Sequence, residues 1–217
     1  MDEERMLNRK KVIFLSSSFV NLAKSFAEYH FEFDVFLILD RKFPFEYEDM
    51  ENFYPFTFNY QKLFDKDKNK YFDNLSVFID EFRPDLIVTN NFSKLLPTSF
   101  VEFLKFRNKN IEIMNIHHGD LRQGDKYKGL NPDVKEFIEE HEILSTLHRI
   151  EDGKMDEGEV LRYTEATGFK ELKQKNIISK VSDIMNYRLR NNVLTFHEKT
   201  KVLAPLYDVV CHLVYKE

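Results

Sequence analysis

Glycine is scarce in this chain of 217 residues, which contains only 6. All of them lie between Gly119 and Gly168, so the first half of the chain has none. The phosphate-binding patterns GxGxxG and GxxxxGK(S/T) need close backbone approaches that a Cβ would obstruct. The sequence therefore excludes the standard dinucleotide-binding and P-loop NTPase classes.

Cysteine and excess basic charge are lacking as well. Cys211 is the only cysteine, which excludes an internal disulfide framework and a cysteine-rich metal site and is typical of a reducing cytoplasm. The net charge of −5 predicts no strongly basic surface for a long nucleic acid. Neither a signal peptide nor an apolar run of ~20 residues is found. We therefore expect a cytoplasmic protein with no membrane association.

The composition supplies enough apolar side chains for a core, since 42% of the residues are hydrophobic and 15% are aromatic. Disordered and fibrous classes are thereby excluded. The length predicts one compact domain, or a domain with a short extension.

Short β-branched and aromatic runs alternate with helical stripes in the first half of the chain. Strands are predicted at 10–15, 33–39, 86–89 and 111–116, and helices at 19–29, 71–82 and 97–106. Residues 40–70 receive no assignment. The alternation predicts an α/β fold, a single Rossmann-like domain with a mostly parallel sheet and helices on both faces.

Beyond residue 116 the pattern changes. A helix is predicted at 134–141, strands at 144–150 and 160–163, and amphipathic helices at 169–187 and 197–214. We expect residues 1–165 to form the core and residues 166–217 a short helical extension packed on it. The apolar stripe of the last helix is a candidate homodimer contact.

The loop 117–132 follows the last predicted parallel strand and holds three of the six glycines. Ligands of such sheets bind beyond the carboxyl ends of the strands, and long loops inside compact domains are usually functional. We therefore expect the functional site to include this loop.

Asn115 and His117 stand two residues apart at the end of that strand, so their side chains share one face. An amide and a protonated imidazole can stabilise a developing oxyanion, and a nearby carboxylate favours the imidazolium. The alternative is that both residues cap the strand end. No metal site is expected at His117, His118 and Asp120, because adjacent residues of an extended chain point apart.

Seven segments occur in the order seen in folate-dependent formyltransferases. They are KVIFL at 11–15, PDLIV at 84–88, FSKLLP at 92–97, NIH at 115–117, YKG at 127–129, TLH at 146–148 and DEGEVL at 156–161. The chain therefore resembles this family over about residues 10 to 165 and most resembles its nucleotide-linked amino-sugar N-formyltransferases. The family also includes glycinamide ribonucleotide and methionyl-tRNA enzymes.

The resemblance implies N10-formyltetrahydrofolate as the donor and a primary amine as the acceptor. By match, Asn115, His117 and Asp156 are the catalytic trio. The residues matched to the folate site are Phe92, Lys94, Leu95, Leu96, Asp152, Gly153, Lys154 and Met155. Those assigned to the acceptor are Ser16, Ser17, Arg122, Tyr127 and Lys128.

Two acceptor assignments have structural alternatives. Ser16 and Ser17 lie where the family's acceptor phosphate loop begins, but serines there also suit capping of the following helix. Arg122 and Lys128 suit an anionic nucleotide, yet they are equally suited to be solvated loop charges.

The chain also departs from the family in two places. His148 and Asp156 are eight residues apart where the family usually has seven, so either the turn bulges or Asp152 takes the catalytic role; Gly158 and Val160 favour Asp156. The second departure is the segment His118-Gly119-Asp120-Leu121-Arg122, which stands where many members have a proline after the catalytic histidine and a Leu-Leu-Pro in the next loop, and it concerns the acceptor contacts.

The resemblance favours an amino sugar carried by dTDP or UDP as the acceptor. A methionyl-tRNA enzyme is expected to have a further C-terminal domain and a basic surface, and a glycinamide ribonucleotide enzyme a glycine-rich loop after the first strand. The alternatives are a glycinamide ribonucleotide-type enzyme, a formyltetrahydrofolate hydrolase and a non-catalytic folate-binding protein.

Overall fold

The computed structural model describes residues 9–17, 21–41, 50–129, 132–142, 144–151, 156–164 and 206. The strands are β1 (Lys10–Ser16), β2 (Phe33–Leu39), β3 (Phe53–Thr57), β4 (Leu86–Asn90), β5 (Glu112–His117), β6 (Thr146–Arg149) and β7 (Val160–Tyr163). The helices are α1 (Asn21–Tyr29), α2 (Gln61–Lys66), α3 (Lys68–Asp80), α4 (Thr98–Arg107) and α5 (Pro132–Ile138), and the segment Leu121–Tyr127 contains 3₁₀ turns on both sides of a kink at Gly124.

The seven strands form one sheet in the order β3-β2-β1-β4-β5-β6-β7. The pairs from β3 to β5 are parallel, whereas β6 pairs antiparallel with β5 and with β7. The predicted α/β class, a Rossmann-like and mostly parallel sheet, is confirmed.

Successive residues of β1 point to opposite faces of the sheet, as the strand period requires. Val12 and Phe14 pack with α1 in one apolar cluster, which also contains the buried Leu206. Ile13 and Leu15 pack with α3 and α4 in a second cluster on the other face. Helices therefore cover both faces, as predicted.

The segment without a sequence assignment contains β3, α2 and the start of α3. β3 is an edge strand that carries Pro55. Proline has no backbone N–H, and it is tolerated in edge strands because no neighbouring strand on the open side requires a hydrogen bond from it. The third helix begins at Lys68, three residues before its predicted start, because the Asp67 side chain accepts from the backbone N–H of Lys70 and caps it.

Other boundaries shift by a few residues. The predicted helix at 134–141 spans Pro132–Ile138, with proline at a position where helices tolerate it. The predicted helices at 169–187 and 197–214 lie outside the described residues, apart from Leu206. Across the described ranges, no helix is both long and apolar enough to cross a membrane.

The strand order changes direction between β1 and β4, which are adjacent in the sheet although distant in sequence. Crevices at such a switch point, outside the carboxyl ends of the strands, are the usual ligand sites of open α/β sheets. The loops after β1, β4 and β5 all begin at this edge.

Candidate active site

An open cleft with a volume of about 200 Å³ lies at the carboxyl edge of β4 and β5. The described residues that line it include all three members of the predicted catalytic trio. The others come from the end of β4 and its loop, from β5 and the loop after it, from the first residue of α5, and from β6 and the residue that follows it: Thr89, Asn91, Phe92, Ser93, Lys94, Leu95, Leu96, Ile116, His118, Gly129, Pro132, His148 and Ile150.

Asn115 lies in β5, and its amide is bonded at both ends. Its Oδ1 accepts from the Thr89 hydroxyl at 2.7 Å, and its Nδ2 lies 3.1 Å from Nε2 of His148. The same Nδ2 lies 3.5 Å from Oδ1 of Asp156. The amide group therefore has a defined orientation at the cleft.

His117 ends β5 and is 6% exposed. Its Nε2 lies 2.6 Å from the carbonyl oxygen of Tyr127, and its Nδ1 lies 3.0 Å from Oδ1 of Asp156. A carbonyl oxygen and an ionised carboxylate only accept hydrogen bonds, so both ring nitrogens must donate. This geometry requires the imidazolium form of His117.

Asp156 reaches the site from the connection between β6 and β7. Its backbone φ of +52° is in the left-handed region, which aspartate adopts more readily than most residues. Its Oδ2 accepts from the backbone N–H of Gly129 at 2.7 Å. Burial raises the pKa of Asp156, but the hydrogen bonds and charge of His117, with the N–H of Gly129, outweigh it and lower the pKa overall.

The extra residue between His148 and Asp156 does not keep the carboxylate from His117. The register shift in the β6–β7 pairing lies outside this connection, because Leu147 pairs with Arg162 and His148 with Val160, so that the additional residue is Leu161 in β7. Within the connection, Gly158 has a φ of +126°, a conformation that side chains oppose. Asp152 lies outside the described residues.

His148 is nearly fully buried beside this trio. Burial lowers its pKa, although the Arg149 carbonyl and Asp156 act in the opposite direction. Its Nδ1 lies 3.0 Å from the carbonyl of Arg149 and therefore carries the proton. In the neutral ring, Nε2 is then left to accept from Asn115.

The arrangement suits a reaction that develops negative charge on an oxygen. It brings an amide N–H donor and an imidazolium together in a partly buried cleft, where such groups act more strongly than in water. The adjacent carboxylate holds the imidazolium in place.

The predicted folate residues divide into two groups. Phe92, Lys94, Leu95 and Leu96 line the cleft. The ammonium group of Lys94, however, is bonded to Asp40 and faces the rings of Phe64, Tyr71 and Phe92. Asp152, Gly153, Lys154 and Met155 lie outside the described residues.

The residues assigned to the acceptor are not among the described residues that line the cleft. Ser16 and Ser17 are buried at the end of β1, where the Ser17 hydroxyl accepts from the backbone N–H of Ser93 at 2.7 Å. Tyr127 is fully buried, and its hydroxyl donates to Glu139 at 2.7 Å.

The two basic residues that the sequence assigned to the acceptor are held in ion pairs. Arg122 binds the buried carboxylate of Asp120 through Nε at 2.7 Å and Nη2 at 2.8 Å. Lys128 pairs with Asp125 at 2.7 Å and with Glu157 at 3.5 Å. Their roles in acceptor binding stay predictions.

Sequence reasoning missed three polar residues of this edge: Thr89, Asn90 and Asp40. Thr89 lies opposite Asn115 in the β4–β5 register. The Asn90 Oδ1 lies 3.0 Å from Nε2 of His118, whose Nδ1 lies 3.0 Å from the Ser145 hydroxyl. Each stands at a strand end, which is the only signal that the sequence carries for them.

Within the described ranges, no group of three or more His, Cys, Asp or Glu side chains is arranged to hold a metal ion.

The strand order and the position of the cleft define the structural class of the protein as a Rossmann-like α/β fold with a candidate site at the switch point of its sheet. Among solved structures, this fold is that of glycinamide ribonucleotide transformylase 1 from Symbiobacterium toebii, with a TM-score of 0.59 and 14% identity over 90% of this chain and 87% of that one. Phosphoribosylglycinamide formyltransferase from Streptococcus pneumoniae gives 0.58 and 15% identity over 96% of this chain and 100% of that one.

The enzyme of the same name from Coxiella burnetii gives a TM-score of 0.57 with 14% identity, over 91% of this chain and 88% of that one. No family model matches the chain, and neither does any curated protein. The similarity to solved structures thus shows a shared fold.

Proposed function

We propose that the protein transfers a formyl group from N10-formyltetrahydrofolate to a primary amine. The observation that carries this proposal is the convergence of Asn115, His117 and Asp156 on one cleft, with 3.0 Å between His117 Nδ1 and Asp156 Oδ1. The fold shared with formyltransferase structures supports the same reaction.

The reaction balances without a metal or redox cofactor. The amine nitrogen attacks the formyl carbon, a C–N bond forms, and the carbonyl electron pair moves onto oxygen. That pair then returns, the bond to N10 breaks, and tetrahydrofolate leaves. The amine loses one proton and N10 gains one.

The three side chains have separate roles in these steps. Asn115 donates an N–H to the developing oxyanion, and the charge of His117 stabilises it at short range. Asp156 stays ionised because its pKa is lowered, and it keeps His117 charged. Placing both substrates in the cleft removes much of the entropic cost of their encounter.

The acceptor we propose is an amino sugar carried by dTDP or UDP. The backbone N–H of Ser17 already donates to the Asn91 carbonyl at 3.1 Å, and its hydroxyl accepts from Ser93. These groups at the end of β1 are therefore engaged within the chain, which disfavours a phosphate-binding loop there. A glycinamide ribonucleotide acceptor is the second candidate, and the fold comparisons favour it.

The test is to incubate the protein with N10-formyltetrahydrofolate and a panel of dTDP- and UDP-amino sugars and glycinamide ribonucleotide, and to measure tetrahydrofolate release. We expect release that depends on one sugar amine. Formate release without any amine would instead indicate a hydrolase, and folate binding without turnover a non-catalytic protein. The predicted homodimer is tested by sizing at several concentrations.

A further inference from the structure

An asparagine side chain has two chemically opposite ends of nearly equal shape. At an oxyanion, the N–H end stabilises the negative charge, whereas the carbonyl end repels it. Asn115 is therefore useful to the reaction only if something in the fold prevents its amide from turning over.

A directional chain of three hydrogen bonds fixes this amide. The Thr89 hydroxyl lies 2.7 Å from Oδ1 of Asn115, Nδ2 lies 3.1 Å from Nε2 of His148, and Nδ1 of His148 lies 3.0 Å from the Arg149 carbonyl. The Arg149 carbonyl can only accept, so the neutral ring presents a lone pair to Asn115. The other end of the amide must then be the oxygen, facing Thr89.

Thr89 is held rigidly enough to serve in this way. It lies in β4 directly opposite Asn115 in the parallel register, and it is 3% exposed. Its hydroxyl also lies 3.4 Å from the Met114 carbonyl, a much longer contact than the one to Asn115. A methyl-bearing residue without the hydroxyl would fill the same space and bind neither oxygen.

We infer that Thr89 is a positioning residue, which holds the carbonyl end of Asn115 away from the reacting oxygen and so directs the amide N–H toward it. This inference rests on the proposed formyl transfer. The hydroxyl reaches the reaction only through Asn115, so its loss lowers kcat rather than substrate binding.

Two matched variants test this inference. Thr89→Val removes the hydroxyl at nearly constant volume, and Thr89→Ser keeps it. We expect Thr89→Val to lower kcat about tenfold, the effect of one hydrogen bond of ordinary strength, with KM for both substrates within about twofold of wild type. Thr89→Ser should be close to wild type. In an Asn115→Ala background, Thr89→Val should cause no further loss.

Several outcomes would overturn the inference: equal kcat in the Val and Ser variants, a change in KM alone, or an additional loss in the Asn115→Ala background. The side-chain amide NMR signal of Asn115, assigned by its loss in Asn115→Ala, provides a readout independent of turnover. We expect it to shift or broaden in Thr89→Val only, and an unchanged signal would contradict the inference. If the wild-type protein showed no formyl transfer, that result would instead count against the proposed function.

Discussion

Two buried ion pairs lie at the carboxyl edge of the same sheet, and they have opposite surroundings. Lys94 and Asp40 are 3% and 1% exposed in their side chains, while His117 and Asp156 are 6% and 8% exposed. The ammonium group of Lys94 faces aromatic rings at 5.0 to 5.8 Å, and Asp40 is not among the described residues that line the cleft. Both members of the histidine pair line the cleft.

The hydrogen bonding of the two carboxylates differs as well. Oδ2 of Asp40 binds Lys94 and the Ser93 hydroxyl, but in the described part of the chain its Oδ1 has no hydrogen-bond partner. Arg41 Nε lies 3.9 Å from that oxygen, too far to donate. Both oxygens of Asp156 are bonded, to His117 and Gly129. Burial of a charge pair therefore does not by itself identify the candidate active site. The His117–Asp156 pair is distinguished because both of its members line the cleft.

Breaking the Asp40–Lys94 pair should have the largest effect of the changes considered, and this effect should be a loss of stability. Asp40→Asn leaves the Lys94 charge buried without a counter-ion, and we expect a loss of about 3–5 kcal/mol in the free energy of unfolding. Urea denaturation measures it. The double variant Asp40→Asn, Lys94→Met should recover most of that loss, and a single variant as stable as wild type would contradict the structural role of this pair.

Substitutions in the cleft at Asn115 and His117 should instead lower the turnover rate. Asn115→Ala and His117→Ala should each lower kcat about 100- to 1,000-fold, the usual effect of removing one group that stabilises an oxyanion. Folate binding, measured by titration, should stay close to wild type. Near-normal turnover in both variants would show that these residues are not the catalytic groups.

Gly119 allows a further test of the comparison because it lies next to His117, the predicted catalytic histidine. A Cβ at Gly119 would lie 2.8 Å from Nε2 of His117 and 2.6 Å from Cβ of Pro132. We expect Gly119→Ala to displace the ring and lower kcat about 10- to 100-fold, since small misplacements at a reaction centre have effects of this size.

Gly124 in the same loop is the matched control. Its φ of +64° and ψ of −133° are a backbone conformation that side chains disfavour, and no atom lies within 4 Å of an added Cβ, so Gly124→Ala should reduce stability by about 1–3 kcal/mol without lowering kcat. Equal kcat in the Gly119 and Gly124 variants would contradict the proposed packing effect on His117.

The smallest effect should be a pH dependence of the protein's stability, which arises from His148 beside the cleft. Burial lowers the pKa of His148 from its ordinary 6.5, so the unfolded chain binds a proton that the folded chain does not. His148 therefore makes stability fall as the pH drops below about 6.5. Denaturation of wild type and His148→Gln at several pH values should show a flatter dependence in the variant; parallel curves would contradict it.

The strands were predictable where apolar runs are bounded by turn residues. Phe33–Leu39 and Val160–Tyr163 match their predicted bounds, because each run ends abruptly in polar residues. β3 was missed because Pro55 and the charged residues around it obscure a strand that needs a partner on only one edge.

The site was predictable only in part from spacing. Asn115 and His117 share a strand face two residues apart, which the sequence displays directly. Asp156 was assigned through the family resemblance alone, since no local pattern connects it to His117. Thr89 was missed because its partner Asn115 lies on another strand, and Asp40 because its partners Ser93 and Lys94 lie in the loop after β4; both contacts depend on the strand order and register of the assembled sheet.

The central claim is that the cleft at Asn115, His117 and Asp156 transfers a formyl group to an amine. The most direct measurement follows an isotopically labelled formyl carbon from N10-formyltetrahydrofolate, by NMR, with wild type and Asn115→Ala in parallel. We predict that wild type places the label in a new formamide on the acceptor and that the variant does so at least about 100-fold more slowly. Label that appears only in formate, or equal rates in the two proteins, would contradict the claim.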